Sequence, residues 1–155
     1  MRFFVKISYL GTNYHGWQIQ PNQNTVQEQI NKALSVIFRF DVEVTGAGRT
    51  DAGVHAKIMY AHFDSLVIIN RNLITKINGV LPPDIVVHDI FQVKENSHSR
   101  FDAVSRTYTY SISRKKNPFN KFSYLVYKKL DISAMNKACS FLIGHQDFTS
   151  FSKNN

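Results

Sequence analysis

A short glycine-rich segment at residues 46–56 holds the residues best suited to chemistry. It reads GAGRTDAGVHA and places the carboxylate of Asp51 two residues after the guanidinium of Arg49. If the backbone is extended there, both side chains face the same way. A guanidinium so close would favour the ionised carboxylate. The alternatives are a local ion pair that only shapes the loop, or a flexible connection between strands with an incidental aspartate.

A glycine-rich loop between strands could also cradle phosphate, but two familiar nucleotide motifs are missing. The segment lacks the Gly-Lys-Ser/Thr of a P-loop and the third glycine of a dinucleotide fingerprint. It also leads into a predicted strand rather than a helix. Nucleotide binding by either of those routes is therefore not expected.

The elements before this segment are indicated by the pattern of apolar residues. Residues 2–9 alternate apolar and polar side chains, which predicts a strand with one buried face. Thr25 and Glu28 have the spacing of a capping box, and apolar residues then recur at helical spacing over 26–38. A short strand is predicted around 42–44.

The elements after the segment complete a recognisable order. Strands are predicted over 57–64 and 84–93, with a helix over 71–80 between them. Pro82 and Pro83 end that helix, because proline cannot continue a helix interior. The order β-α-β-β-α-β is the ferredoxin-like arrangement, in which two helices cover one face of a four-stranded antiparallel sheet.

A second set of elements begins near residue 100. Alternation predicts a strand over 104–112, a further strand is expected over 122–128, and Asp131 or Ser133 caps a helix that ends at Gly144. The expected buried stripe of this helix is Ile132, Met135, Cys139 and Leu142. We therefore predict an α+β fold, mostly antiparallel, with a ferredoxin-like half at 1–97 that contains the 46–56 loop. Residues 98–155 are expected to begin a second half-domain of order β-β-α that is C-terminally incomplete.

Composition limits the function classes. The chain of 155 residues has 19 Lys and Arg against 11 Asp and Glu, a net charge of +8. Such an excess favours a polyanionic partner such as nucleic acid, although a merely basic soluble protein is the alternative. An apolar content of 43% argues against a disordered tail.

Several other classes are not expected. No apolar run approaches the roughly 20 residues that span a bilayer, and no secretory signal is evident. A single cysteine, Cys139, excludes an internal disulfide and a multi-cysteine zinc site, and the histidines show no metal-ligand spacing. We expect no metal, no membrane association and a cytoplasmic location.

Residues 48–56, which read GRTDAGVHA, resemble the active-site motif of the tRNA pseudouridine synthase A (TruA) family. Leu10 stands where that family has an aspartate. The further stretches that resemble the same family are 9–18 (YLGTNYHGWQ), 25–27 (TVQ), 98–103 (HSRFDA), 105–110 (SRTYTY) and 144–151 (GHQDFTSF).

The resemblance implies a function. Enzymes of this family isomerise uridine to pseudouridine in the anticodon stem-loop of tRNA, at positions 38 to 40, and they need no cofactor. The resemblance also implies a homodimer. It assigns the catalytic nucleophile to Asp51, leaving open whether the carboxylate attacks the pyrimidine or removes a sugar proton. Arg49 would fill the gap left by the flipped base.

The resemblance also implies residues that bind substrate. Tyr108 would stack on the extruded base; the alternative is a core tyrosine, because it alternates in phase with the apolar residues of its strand. Gly48 and Gly53, with Gly46, would permit close approach of RNA. His55 is interpreted as structural rather than as a general base. The cationic candidates for phosphate contacts, each of which could equally be a solvated side chain, are Arg100, Arg106, Arg114, Lys115 and Lys116.

Two functional interpretations follow. The first is the pseudouridine synthase itself. The second is a non-catalytic RNA-binding module, because family members continue with a C-terminal segment that completes the second half-domain. We expect the 155-residue chain by itself to bind RNA weakly and to be catalytically poor.

Overall fold

The computed structural model describes residues 1–69 and 72–151. The helices and strands follow one another as β1 (Arg2–Tyr9), α1 (Val26–Phe38), β2 (Thr45–Gly46), β3 (Ala56–Asp64), α2 (Asn72–Val80), β4 (Ile85–Val93), β5 (Ile112–Ser113), β6 (Tyr124–Leu125) and α3 (Ile132–Ser140). Short 3-10 helices lie at Gly11–Asn13 and Thr149–Phe151. The chain forms two compact units, the first ending at Arg106 and the second beginning at Thr107.

The first unit is built on a four-stranded antiparallel sheet with strand order β2-β3-β1-β4. Every second residue of β1 is buried, because the pleat turns alternate side chains to opposite faces. The predicted α+β class and the β-α-β-β-α-β order are confirmed. The predicted helix over 26–38 has the same bounds in the structure, whereas residue 71, the predicted start of the second helix, lies outside the described residues.

The core of this unit lies on the helix-bearing face of the sheet. Burying a large apolar side chain contributes about 1.5–3 kcal/mol, so this layer accounts for most of the cohesion of the unit. The fully buried side chains of the layer include Val5, Ile7, Ile30, Leu34, Phe63, Ile77 and Val87.

The predicted capping box is wrong. Thr25 precedes α1, but its hydroxyl makes no capping hydrogen bond, and its Oγ1 is buried with no partner among the described residues. The first amides of the helix are satisfied by backbone instead: Val26 N donates to Gly16 O (3.2 Å) and Gln27 N donates to Trp17 O (3.0 Å). The loop before the helix therefore does the work that a side-chain cap usually does.

The short strand expected around 42–44 lies slightly later, at Thr45–Gly46. Side chains of α1 take the backbone amides that a strand partner would otherwise bind. Ser35 Oγ accepts from Val42 N (2.8 Å), and Asn31 Oδ1 accepts from Val44 N (3.0 Å). Residues 42–44 therefore run beside the helix before the sheet begins.

The second unit departs further from expectation. Of the residues in the strand predicted over 104–112, only Ile112 lies in a strand; β5 consists of Ile112–Ser113 and pairs with β6 in parallel. Residues 104–111 find no ladder partner in the described part of the chain, and a strand exists only through such pairing. The β-β-α order and the Asp131 cap are as predicted, with Asp131 Oδ1 accepting from Ala134 N (2.9 Å).

The predicted buried stripe of α3 is also wrong, because all its members are exposed. No residue described between 107 and 151 is buried. The large apolar side chains of this unit face solvent, among them Tyr108, Phe119, Phe141, Ile143 and Phe151.

The two units meet in sequence at a different residue from the predicted boundary of 97/98. Residues 98–106 belong with the first unit, since Ser99 Oγ donates to Thr45 O (2.8 Å) and Arg106 Nη2 donates to Ala47 O (2.8 Å). Two half-domains at 1–97 and 98–155 remain a proposal. Within the described ranges, no helix is both long enough and apolar enough to cross a bilayer.

Candidate active site

Asp51 lies in the loop between β2 and β3. This loop is hydrogen-bonded to the loop that follows β1. Trp17 N donates to Thr50 O (3.1 Å), directly before Asp51, and Gly53 N donates to Tyr14 O (3.2 Å), two residues after it. These two backbone bonds fix the chain on either side of the carboxylate.

Side chains add two further contacts between the same loops. The hydroxyl groups of Tyr9 and Thr50 are 2.9 Å apart, and His55 Nδ1 accepts from Gly11 N (2.9 Å). The pKa of Tyr9 is raised by burial, an effect partly opposed by its bond to Thr50, so the phenol stays neutral at neutral pH. The interpretation of His55 as structural agrees with this contact.

Glycines make the close approach of the loops possible. Gly16 has φ +87°, and a Cβ there would collide with Thr50 O. A Cβ on Gly46 would enter the Trp17 indole. The space expected for RNA at Gly46 is therefore occupied by Trp17. Gly53 has φ +79° with open space around it, and Gly48 has Arg106 as its nearest neighbour.

The carboxylate of Asp51 is exposed and makes no hydrogen bond or ion pair with the described residues. Arg49 is also exposed, and the ion pair expected between Arg49 and Asp51 does not form in the described structure. The reason is local, because residues 47–55 form bends and a turn rather than a strand. The backbone from Arg49 to Asp51 is not part of a strand, so the two side chains do not lie on one face as an extended backbone would place them. Both remain available to a ligand.

A cleft of about 130 Å³ opens beside this loop. Two arginines and no acidic residue line it, which suits an anionic ligand. Gln27 is fixed by its neighbours, since its Oε1 accepts from Ile19 N (3.0 Å) and its Nε2 donates to Val44 O (2.7 Å). The cleft is lined by Trp17, Gln18, Gln27, Thr45, Gly46, Gly48, Arg49 and Arg100.

Four of these lining residues were given no role from the sequence: Trp17, Gln18, Gln27 and Thr45. The signal was present, because two of the stretches that carry the family resemblance, 9–18 and 25–27, contain all of them except Thr45.

Arg106 braces the site through backbone contacts. Its Nη2 donates to Ala47 O (2.8 Å) and to Arg100 O (2.9 Å), and its Nε also points at Ala47 O (3.3 Å). A guanidinium committed to two carbonyl groups has few donors left for phosphate. Arg100 differs, because it lines the cleft and its guanidinium carbon lies 5.9 Å from the ring centre of Phe101.

The family model described as tRNA pseudouridine synthase matches residues 6–105. The chain belongs to the tRNA pseudouridine synthase family. The family resemblance predicted from the sequence is thus confirmed, and the matched range includes the Asp51 loop and the whole cleft.

Curated relatives carry the name tRNA pseudouridine synthase A. The protein of Bacteroides thetaiotaomicron is 54% identical over 154 residues, covering 98% of this chain and 57% of that protein. Those of Azobacteroides pseudotrichonymphae and Parabacteroides distasonis are 49% and 51% identical, again over 98% of this chain and 62% of each protein. The chain therefore spans about three-fifths of the length of these synthases.

The remaining predicted site residues of this synthase-family chain lie in the second unit. Tyr108 is 78% exposed, so the alternative of a core tyrosine does not describe it. Arg114, Lys115 and Lys116 are exposed as well. No group of three or more potential metal ligands occurs in the part of the chain that the structure describes.

Proposed function

We propose that this chain carries the catalytic aspartate of a tRNA pseudouridine synthase. Its substrate is a uridine in the anticodon stem-loop of tRNA, at positions 38 to 40. The observation that carries the proposal is the exposed Asp51 carboxylate, which has no partner among the described residues. It lies on a loop that is braced on both sides and bordered by a cationic cleft.

The proposed reaction is an isomerisation. The bond between N1 of uracil and C1′ of ribose breaks, the uracil turns, and C5 bonds to C1′; C5 loses a proton and N1 gains one. Asp51 acts either as the nucleophile that attacks the pyrimidine or as the base that removes a sugar proton. Substrate and product have the same atoms and oxidation level, so the proposed reaction uses no redox cofactor.

The neighbouring residues support this role. Arg49 has no ion-pair partner in the described structure, so it is available to fill the gap left by a flipped nucleotide. Arg100 and the open space at Gly53 suit the approach of an RNA backbone. Gly48 leaves room for the Arg106 side chain, which braces the loop. Tyr108 is proposed to stack on the extruded base, as an exposed aromatic ring can.

The second candidate function is a non-catalytic RNA-binding module. The exposed apolar side chains of the second unit favour it, because water-excluded sites make electrostatic catalysis effective and an open unit does not exclude water. As in the first proposal, the partner is the tRNA anticodon stem-loop. We also propose a homodimer in the cytoplasm, for which sedimentation and cell fractionation are the tests.

Tritium release separates the two functions. Transfer RNA labelled at C5 of uridine loses tritium to water when pseudouridine forms. We expect the unsubstituted 155-residue chain to release tritium, although slowly, and Asp51→Asn to release none. Asp41→Asn, which alters another exposed carboxylate of the same unit, serves as the control and should retain activity. Binding of tRNA without tritium release by the natural protein would instead favour the non-catalytic module.

A further inference from the structure

A buried histidine joins the sheet to the segment that carries Arg100. His62 of β3 is 6% exposed and Ser99 is 4% exposed. Ser99 Oγ lies 2.8 Å from His62 Nδ1 and donates to Thr45 O at 2.8 Å. Thr45 and His62 are paired across β2 and β3, so one serine hydroxyl binds two adjacent strands. Ser99 N also donates to His62 Nδ1 (3.3 Å), so Ser99 contacts the imidazole through both its backbone and its hydroxyl.

The segment held by Ser99 is a closed turn. Asp102 N donates to His98 O (2.9 Å), and the Asp102 carboxylate accepts from His98 N (2.7 Å). The ring of His98 lies 4.5 Å from the ring of His62 and 4.2 Å from that of Phe101. The turn at 98–102 is therefore attached to the sheet through Ser99 and by the edge-to-face contact of the His98 and His62 rings.

This turn leads directly to the cleft. Arg100, in the middle of the turn, lines the cleft. Its carbonyl oxygen accepts from Arg106 Nη2, which also donates to Ala47 O at the start of the Asp51 loop. A chain of buried and backbone contacts thus runs from His62 to the cationic side of the site.

We propose that His62 is a positioning residue. Through Ser99 it fixes the turn at 98–102, so that Arg100 lines the cleft and Arg106 holds the Asp51 loop. The assignment of this cleft to RNA rests on the proposed function. His62 itself acts through other residues and is not a catalytic group.

The charge state of His62 agrees with this geometry. Its pKa is lowered mainly by burial, and the charges of Arg2 and His98 act in the same direction. Asp64 and Asp102 oppose that shift. The ring is therefore neutral at neutral pH, which leaves Nδ1 able to accept from Ser99 N.

The sheet provides a matched control. Ser8 Oγ and His88 Nε2 are 2.7 Å apart on β1 and β4, which is the same chemical pair in an exposed position. The test variants are Ser99→Ala, His62→Leu and His62→Asn, the last keeping an amide near the position of Nδ1. The controls are Ser8→Ala and His88→Leu. Residue-resolved amide hydrogen exchange and affinity for an anticodon stem-loop RNA are measured on the 155-residue chain.

We expect Ser99→Ala and His62→Leu to speed exchange of the amides at 98–102 about tenfold, as loss of one buried hydrogen bond would. RNA affinity should fall in the same two variants. His62→Asn should restore both properties, a rescue that loss of core volume alone would not produce. The two controls should leave exchange at 98–102 unchanged.

Unchanged exchange at 98–102 in Ser99→Ala and His62→Leu would overturn the proposal. So would faster exchange with undiminished RNA affinity in a chain whose natural form binds RNA. If the natural chain binds no RNA, the proposed function fails; faster exchange that His62→Asn restores would still support the fixing of the turn. Ser99→Ala alone suffices if His62→Leu does not fold.

Discussion

Asp51 is held at the surface by backbone bonds of its neighbours and not by bonds of its own side chain. The carbonyl of Thr50 and the amide of Gly53 each bond to the loop that follows β1. The loop can therefore keep its shape whatever the charge of residue 51. Because the side chain of Asp51 does not hold the loop, a conservative substitution at residue 51 can test its chemical role without changing the loop.

We predict that Asp51→Asn abolishes pseudouridine formation and leaves tRNA affinity within about twofold, because one charge matters little beside many phosphate contacts. Tritium release and filter binding on the same preparation measure the two properties. Pseudouridine formation near the natural rate would remove Asp51 from the catalytic role.

The loops before α1 and before β3 act as a pair at the scale of elements. Gly16 lies at a close approach between them, with φ +87° and Thr50 O where a Cβ would lie. Gly79 in α2 has open space around it and serves as a comparison. Comparing alanine substitutions at the two glycines tests whether the free energy of unfolding depends on the contact between the loops or only on the loss of a glycine.

We predict that Gly16→Ala lowers the free energy of unfolding by about 1–3 kcal/mol, because alanine is strained at this φ and collides with Thr50. It should also reduce tritium release, since Thr50 precedes Asp51. Gly79→Ala should be neutral or stabilise the protein by up to about 1 kcal/mol. Urea denaturation measures both variants; equal effects would refute the contact.

The contact between β3 and the turn at 98–102 predicts a pH dependence of stability. The pKa of His62 is lowered from its ordinary 6.5 in the folded state, so the unfolded chain binds the proton more readily. Stability from this group is fully present above about pH 6.5 and is lost as the pH falls from that value through the lower pKa of the folded state. Asp64, whose pKa is lowered by its hydrogen bonds with Arg2, contributes separately and only loses its effect below about pH 3.8.

Urea denaturation between pH 7.5 and 5 measures this effect. The free energy of unfolding of the natural chain should fall across that interval, and His62→Asn should fall less steeply. Parallel pH profiles for the two proteins would show that His62 is not the titrating group.

At the scale of the whole molecule, the net charge of +8 and the cationic cleft describe a surface for a polyanion. Each phosphate neutralised by a cation contributes roughly −0.7 to −0.9 to the slope of log affinity against log salt concentration. The slope of log affinity against log salt concentration can therefore be measured whether or not the chain is catalytically active.

We predict that affinity for tRNA falls steeply with salt and that Arg49→Gln with Arg100→Gln reduces the magnitude of the slope by about 1 to 2. Lys32→Gln is the control, because Lys32 is already paired with Glu28 (2.7 Å) on α1. Filter binding at several salt concentrations measures the slopes. A flat response of the natural chain would show that the basic excess does not serve RNA.

The sequence by itself determined the elements whose cause is local. The strand at 2–9 and the helix at 26–38 follow from periods of two and 3.6 residues, and neither needs knowledge of distant contacts. The Asp51 loop was equally visible, since nine consecutive residues carried the family resemblance. The strand predicted from alternation over 104–112 was largely wrong. Alternation indicates which side chains share a face of a strand, but it does not indicate whether a second strand is there to pair with it.

Tertiary structure alone decided which residues support the site. Trp17 beneath Gly46, Arg106 on Ala47 and Ser99 on His62 join residues roughly 30 to 60 positions apart. Spacing along the chain carries no signal for such pairs, so Gly46 and Arg106 were both assigned to RNA from the sequence. In the fold the buried Trp17 ring packs against Gly46, because an apolar ring gains free energy by leaving water. The exposed Arg106 guanidinium donates to Ala47 O and Arg100 O.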